Sequence, residues 1–411
     1  MKYDRRILFL CVNAAIFSVI LWFIVDGYSS SMGHSDGYRE SYYSDSGSEK
    51  VLLIQKGLSR NDKKNYLHLR GFVESARNFP SIDLAVVENA RVDNVGRIVS
   101  EYVSRGFTHI FIHGFVYDVE LGNLFRSYPG VTFFMYDGDS RENNVINYIP
   151  RTYEIKYLQG LLAGRMTKTG HVGYISEINH NNKDRSVNAF ALGVQRVNPF
   201  AKVHLLWIDD DHDLGAQAAA ILIKESGADV INGSLDNCQW CELAEDAGVM
   251  YFGEFGDKSG AIRNLRLATF NYNMNVVYSF FFSAISNGER KIWHNYWFDY
   301  RQKVVEFTQL NSNAPAESKI EIRNEIARMR EGVNRIFYGP VYSNRMRLII
   351  PADSSVSDRY LEDMPLWLNQ NIVEMGILEG KSSESEDVQE FNYDGAVRLA
   401  EMLGEQYSQI P

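Results

Sequence analysis

The feature that most constrains this chain is an alternation of strand and helix patterns that runs through once and then starts again. Val51-Leu52-Leu53-Ile54-Gln55 is a short apolar run closed by Gly57, the pattern of a strand buried on both faces of a parallel sheet. Residues 66–76 read as a helix, 83–87 as the next strand, 92–104 as a helix, and 109–113 and 131–136 as two further strands. After Tyr153 the cycle restarts with a strand at 171–175, a helix through Ala189, a strand at 202–207, a helix at 216–226 and a strand at 228–231. A helix at 241–247 and a strand at 250–252 follow. Two such runs of similar length predict an α/β chain with two Rossmann-like lobes, each on a parallel sheet, joined by a hinge. The 411 residues are enough for two cores.

That arrangement says where to look for a site. Ligands of open parallel sheets sit outside the carboxyl ends of the strands. With two lobes, the loops after the strands are expected to face each other across a cleft that holds a small molecule. The loops to inspect are 57–65, 114–118, 137–139, 176–185, 209–213, 234–240 and 253–259. A net charge of -10 argues against a nucleic-acid surface, which needs clustered Lys and Arg.

The ends of the chain differ from its middle. Lys2, Arg5 and Arg6 precede an apolar run from Ile7 to Val25, interrupted only by Asn13 and Ser18. As a helix it spans roughly 28 Å, close to the hydrocarbon thickness of a bilayer. Residues 1–26 are therefore expected to be a signal-anchor that leaves the rest exported and tethered to the inner membrane; a cleaved signal peptide is the alternative. Residues 27–49, rich in Ser, Gly and Tyr, read as a flexible spacer. Residues 380–411 read as a polar tail with a peripheral helix over 394–406, where Ala396, Leu399, Ala400 and Leu403 recur at helical spacing.

Several ordered segments carry a resemblance. They are Tyr153-Glu154, then Tyr157-Leu158-Gln159-Gly160-Leu161-Leu162-Ala163-Gly164-Arg165-Met166-Thr167-Lys168-Thr169-Gly170, then Asn188 to Val194 with Asn198-Pro199. Gly227-Ala228-Asp229-Val230-Ile231, Tyr338-Gly339-Pro340-Val341 and Ile350-Pro351-Ala352 follow. Over residues 51 to 376 the chain resembles the basic membrane protein family of ABC-transporter substrate-binding proteins, in particular its Med-like branch. The resemblance implies a type I periplasmic-binding fold, with lobe 1 from 51–153 plus about 274–292 and lobe 2 from 154–273 plus about 293–376. It also implies a purine base or nucleoside as ligand, no enzyme activity and no cofactor, and a permease and ATPase as partners.

The resemblance points to particular positions. Asn65 matches the Asn of the family's first-lobe motif, with Lys64 where an aromatic normally precedes it, Asn61 where an acid stands, and Asp62 and Tyr66 as neighbours. Phe115 and Tyr117 match a Gly-aromatic stretch suited to stacking on a ring. Trp207 and Asp213 match a packing residue and a helix cap of the second lobe. There Asp236 and Asp257 match polar loop positions, and Phe255 falls where nucleoside-binding members carry a ribose-binding Asp. Tyr272 and Asn273 match a Trp-Asn pair that would supply a stacking ring and a base-edge partner. The Phe255 replacement favours a base over a nucleoside.

The residues also bear on other functions. No Gly-x-Gly-x-x-Gly, Walker loop or Gly-x-Ser-x-Gly is present, which argues against an enzyme acting on nucleosides or nucleotides. His109 and His113 have His-x3-His spacing, but on a strand they stand roughly 13 Å apart, so no metal site is expected there. Cys238 and Cys241 fit either a structural disulfide or two thiols. A membrane-anchored sensing receptor, or a surface scaffold or antigen without ligand, stays open beside transport.

Overall fold

The computed structural model describes residues 38–43, 48–113, 116–178, 181–209, 214–235, 239–254, 264–289, 295–362, 364 and 367–379. The chain divides into two compact units, the first ending at Ile149 and resuming over Met274–Trp297, the second comprising Pro150–Asn273 and the chain from Phe298 on. The backbone thus passes from one unit to the other three times.

The first unit is built on a sheet ordered β1 (Arg39–Tyr43), β3 (Ile82–Glu88), β2 (Glu49–Gln55), β4 (His109–His113), β5 (Thr132–Tyr136), β6 (Val145–Pro150), β12 (Asn295–Phe298). Strands β3, β2, β4, β5 and β6 pair in parallel. One face, with Leu52, Ile54, Ile110 and Ile112, packs with residues of α2 (Val92–Ser104) and with Phe125 of α3 (Val116–Ser127). On the opposite face Phe111 and Phe134 stack at 4.1 Å. They are covered by Phe72 of α1 (Lys63–Ala76) and by Tyr278, Phe281 and Phe282 of α8 (Met274–Ser286), all fully buried. Helix α8 is thus the third-layer partner of a sheet whose strands β1 to β6 lie more than a hundred residues earlier.

The second unit has a sheet ordered β13 (Val305–Leu310), β11 (Arg266–Tyr272), β10 (Met250–Glu254), β9 (Val230–Ser234), β7 (His171–Glu177), β8 (Lys202–Ile208), β16 (Ile372–Leu378). All neighbours are parallel except β13 on β11. Helices α4 (Thr152–Met166) and α5 (Asn181–Val197) cover one face, crossing so closely that a Cβ on Gly160 would lie 2.1 Å from the Phe190 carbonyl oxygen. Helices α6 (Leu214–Ser226) and α7 (Gln239–Asp246) cover the other. Helix α9 (Ala316–Arg330) and a short ribbon, β14 (Val341–Tyr342) with β15 (Leu348–Ile350), complete the unit before the short helix α10 (Asp358–Glu362).

The structure departs from the sequence reading before β2, after β4 and at β6, and it adds α4, β11, α8, β13, α9 and β16 on segments that carried no assignment. The supposed spacer contains β1, paired antiparallel with β3 from Arg39 opposite Glu88 to Tyr43 opposite Leu84. Its tyrosines make it structural: Tyr38 is buried, Tyr42 stacks with Tyr102 at 6.3 Å, and the Arg105 guanidinium lies over Tyr42. The expected loop at 114–118 gives way at Val116 to α3, and β6 appears where no strand was assigned. The anchor over 7–25 and the tail over 380–411 lie outside the described residues. Among the described residues no helix is long and apolar enough to cross a membrane.

Two glycines in the first unit test the packing. A Cβ on Gly71 of α1 would lie 2.6 Å from Met274 Cβ and 2.8 Å from its carbonyl carbon, whereas nothing lies within 4 Å of one on Gly96 of α2. Gly71→Ala is therefore expected to destabilise by about 1–3 kcal/mol through overpacking. Gly96→Ala should be neutral or stabilise by up to about 1 kcal/mol through helix propensity. Urea unfolding should show a lowered midpoint for Gly71→Ala and an unchanged or raised one for Gly96→Ala.

Candidate functional site

The carboxyl ends of the strands carry a cluster of buried polar groups in each unit. In the first unit, Gln55 ends β2 and is fully buried; its Nε2 donates to the Asn65 carbonyl at 2.9 Å. Glu88 ends β3, and its carboxylate accepts from the Ser59 amide at 2.8 Å and the Ser59 hydroxyl at 2.5 Å. Asp62 caps α1, accepting from the Asn65 amide at 2.6 Å, which satisfies one of the helix's orphan donors. The cap and the Gln55 bond hold the Asn65 backbone, and the buried Asn65 side chain comes so near Gly57 that a Cβ there would meet Nδ2 at 2.5 Å. Gly57 is thus required by the close approach of that amide.

Beside this network lies an aromatic group. His113, the last residue of β4, stacks on Tyr136, the last of β5, at 4.9 Å. His68 of α1 stands edge-on to both, at 4.1 and 4.4 Å, and shares a 2.8 Å hydrogen bond with the Tyr278 hydroxyl. Burial, with His113 and Lys64 nearby, holds the His68 imidazole well below its ordinary value, so it is neutral at pH 7. The Lys64 ammonium sits 5.4 Å from the Tyr136 ring centre. Lys64 thus approaches a ring that the strand end supplies.

In the second unit, Lys156 of α4 is fully buried, with its Nζ 2.5 Å from the Gly233 carbonyl of β9 and 5.6 Å from the Phe270 ring. Asn232 Nδ2 donates to Gln159 Oε1 at 2.9 Å, and the Tyr174 and Ser234 hydroxyls share a 2.6 Å bond. Two polar atoms here, Ser176 Oγ and Gln159 Nε2, are buried without a hydrogen-bond partner among the described residues. Unsatisfied buried groups at strand ends are where a ligand or water is expected to add bonds.

The sequence-derived positions fall as follows. Asn65 is buried, and Tyr66 is partly exposed with Lys63 against its ring. Tyr272 ends β11, buried, its hydroxyl 2.7 Å from Thr152 Oγ1 and its ring 5.6 Å from Phe270. Asn273 is exposed; its amide donates to the Val304 carbonyl at 2.7 Å, leaving its side chain at the surface beside Tyr272. Trp207 packs in the core, its Nε1 donating to Glu374 at 2.8 Å. Tyr117 lies in the first turn of α3. Phe115, Asp213, Asp236, Phe255 and Asp257 lie outside the described residues. Cys241 is disulfide-bonded, which removes it as a thiol.

Sequence reasoning missed Gln55, Ser59, Glu88, Tyr136, Lys156 and Asn232 and considered His113 as a metal ligand. The usable signal was positional, since Gln55, Glu88, His113 and Tyr136 each occupy the last place of a buried strand. Among the described residues no group of three metal-ligating side chains gathers.

Near the first crossing, Arg151 holds Tyr153 at 3.2 Å and Asp358 at 2.6 Å. Glu154 accepts from the Tyr300 amide and Asn334 Nδ2, both at 2.8 Å. Burial pushes the Glu154 carboxyl up to about 7 against the pull of Arg151, with Asp299 adding to the rise. The fold therefore favours its protonated form. The penalty is absent below the ordinary value of 4.5 and complete above about 7. Unfolding free energy followed between about pH 5 and 8 should fall with pH by about 3 kcal/mol from this group. Glu154→Gln should flatten that part of the profile.

The sequence and the fold have known counterparts. The family profile described as ABC transporter substrate-binding protein PnrA-like matches residues 49–334, stopping short of the resembling segments at 338–341 and 350–352. A purine-binding protein of Brucella abortus is 26% identical over 289 residues, 69% of this chain and 82% of its own. The transcriptional activator protein Med of Bacillus subtilis is 22% identical over 230 residues, 55% of this chain and 71% of that one. The structure of a transcriptional activator of the comK gene from Bacillus halodurans has a TM-score of 0.57 at 18% identity, covering 70% of this chain and 99% of that one. An ABC transporter solute-binding protein from Conexibacter woesei has a TM-score of 0.54 at 16% identity, covering 70% and 98%.

Proposed function

We propose that this chain, which belongs to the Bmp family of PnrA-like ABC-transporter substrate-binding proteins, captures a purine base for import. The observation that carries the purine reading is the likeness to the Brucella purine-binding protein across 82% of that protein's length. The chemistry of the strand ends supports it. A purine presents two flat faces and an edge of donors and acceptors, which call for rings and amides. Asn65 and Tyr66 in the first unit and Tyr272 with Asn273 in the second are of those types, and Phe115 and Tyr117 follow β4 in the chain. Asp236 and Asp257 are assigned as further polar contacts, and Phe255 as the replacement that favours a base over a nucleoside.

Substrate-binding proteins of this family are exported. We assign residues 1–26 as the membrane tether and a permease with its ATPase as the partners that receive the ligand. No covalent step belongs to this role, because capture and release need only binding.

Thermal unfolding of the full chain against purine bases, nucleosides, sugars and amino acids tests the ligand. A thousandfold excess of ligand over its dissociation constant stabilises by about 4 kcal/mol. Adenine or a related base is expected to raise the midpoint by several degrees; a shift with sugars or amino acids and none with purines would sink the assignment. Asn273 is exposed, so Asn273→Ala should leave ligand-free stability unchanged while weakening purine binding about tenfold, as loss of one hydrogen bond to a buried partner does.

A further inference from the structure

The second unit carries an apolar, positively charged ribbon tip that the ligand-binding role does not use. In β14 and β15, Val341 pairs with Ile350 and Tyr342 with Leu348. Paired residues share a face, and the register shift between these two pairs lets Leu348 and Ile350, two residues apart, take opposite ones. Val341 and Ile350 are buried at 3% and 1%, so one face of the ribbon seals the unit. The opposite face of a solvated ribbon is ordinarily polar. Here it is Tyr342 and Leu348, exposed at 36% and 48%, and the turn adds Met346 at 71%.

Arg345 and Arg347 flank that methionine and are both exposed, and neither side chain makes an ion pair or hydrogen bond among the described residues. Arg335 stands nearby in the chain, against the exposed Tyr338 ring. The turn is held in shape. Ser343 N–H donates to the Arg347 carbonyl at 2.9 Å, Met346 N–H to the Ser343 carbonyl at 2.8 Å, and Arg347 N–H to Ser343 Oγ at 3.2 Å. Two further backbone bonds, Asn344 to Leu368 and Gln370 to Tyr342, tie it to the unit. Met346 itself has φ of 58°, a left-handed conformation that unbranched residues adopt only at some cost. A rigid turn thus displays Met346 between two uncommitted guanidinium groups on a chain whose net charge is -10.

We propose that this tip docks on a bilayer surface containing anionic phospholipid. Met346, Leu348 and Tyr342 would enter the headgroup–acyl boundary while Arg345 and Arg347 pair with lipid phosphates. Charge complementarity selects this occupant. A cationic rim around an apolar plug matches an anionic interface, where each arginine near the surface adds attraction and the apolar side chains add burial. Guanidinium groups suit phosphate because they bond it in a planar fork.

The test places a fluorophore at the tip of the full chain. Of the three cysteines Cys241 is already in a disulfide, so one native thiol remains to be replaced by serine before Met346→Cys is labelled with a polarity-sensitive probe. The chain is reconstituted in phosphatidylcholine vesicles with and without phosphatidylglycerol. The expected result is a blue shift and quenching by brominated lipid only when phosphatidylglycerol is present. Changing both Arg345 and Arg347 to Gln should shift the equilibrium back toward water by about thirtyfold. A probe on Phe200→Cys, a 92% exposed position without flanking arginines, should stay in water throughout. A tip probe that stays wet on both vesicles would overturn the proposal, as would insertion that ignores lipid charge or protection seen only with native membranes that retain their proteins. The last result would assign the tip to a protein partner.

Discussion

Phe111 and Phe134 lie stacked on the face of the first unit's sheet that neither α2 nor α3 covers. Leaving them in water would forfeit about 1.5–3 kcal/mol each, and α1 alone brings only Phe72 to them. The cover comes from Tyr278, Phe281 and Phe282, which belong to a helix that begins at Met274, after the second unit's sheet has been laid down through β11. That requirement explains the path of the chain. The backbone must leave the first unit, build most of the second, return to lend α8, and leave again at Trp297. The three crossings follow from one aromatic layer that cannot be completed locally.

The crossings also arrange the functional groups. Thr152 and Glu154 follow the first crossing, Tyr272 and Asn273 immediately precede the second, and Tyr300 follows the third. Their hydrogen bonds, Thr152 to Tyr272 and Glu154 to Tyr300, link the first crossing to the second and to the third on the second unit's side. Tyr272 and Asn273, proposed for ligand recognition, therefore stand where the chain changes units, and Asn65 stands in the first unit beside the ends of β2 and β3. The two bonds to the Asn65 backbone and the Tyr272–Thr152 bond hold these proposed recognition groups rigid.

Much of this could be read from the sequence. Buried parallel strands are continuous apolar runs, so β2, β3, β4, β7 and β8 announced themselves within a residue or two. The family's segments around Gly160 and Gly193 could be recognised because close helix crossing admits only glycine there. What escaped has a physical reason in each case. β1 owes its place to Tyr42 resting on Tyr102 and Arg105 and to the buried Tyr38 beside it, in a segment that composition alone read as a spacer. The aromatic layer joins residues about two hundred positions apart, and periodicity carries no information at that range. Lys156 and Gln159 sit on a helix buried all round, where no amphipathic stripe separates a polar contact from a packing residue. Gln55, Glu88 and Tyr136 look like ordinary strand termini until the sheet places them side by side.

The central claim is that these strand-end and crossing residues recognise a purine. Hydrogen–deuterium exchange of the full chain, with and without adenine, tests it most directly because it reports both binding and place. The account predicts slowed amide exchange around 55–66 in the first unit and 272–273 in the second, with the β14–β15 ribbon unchanged. Exchange that is identical with and without adenine, or protection confined to segments away from the strand ends, would contradict it.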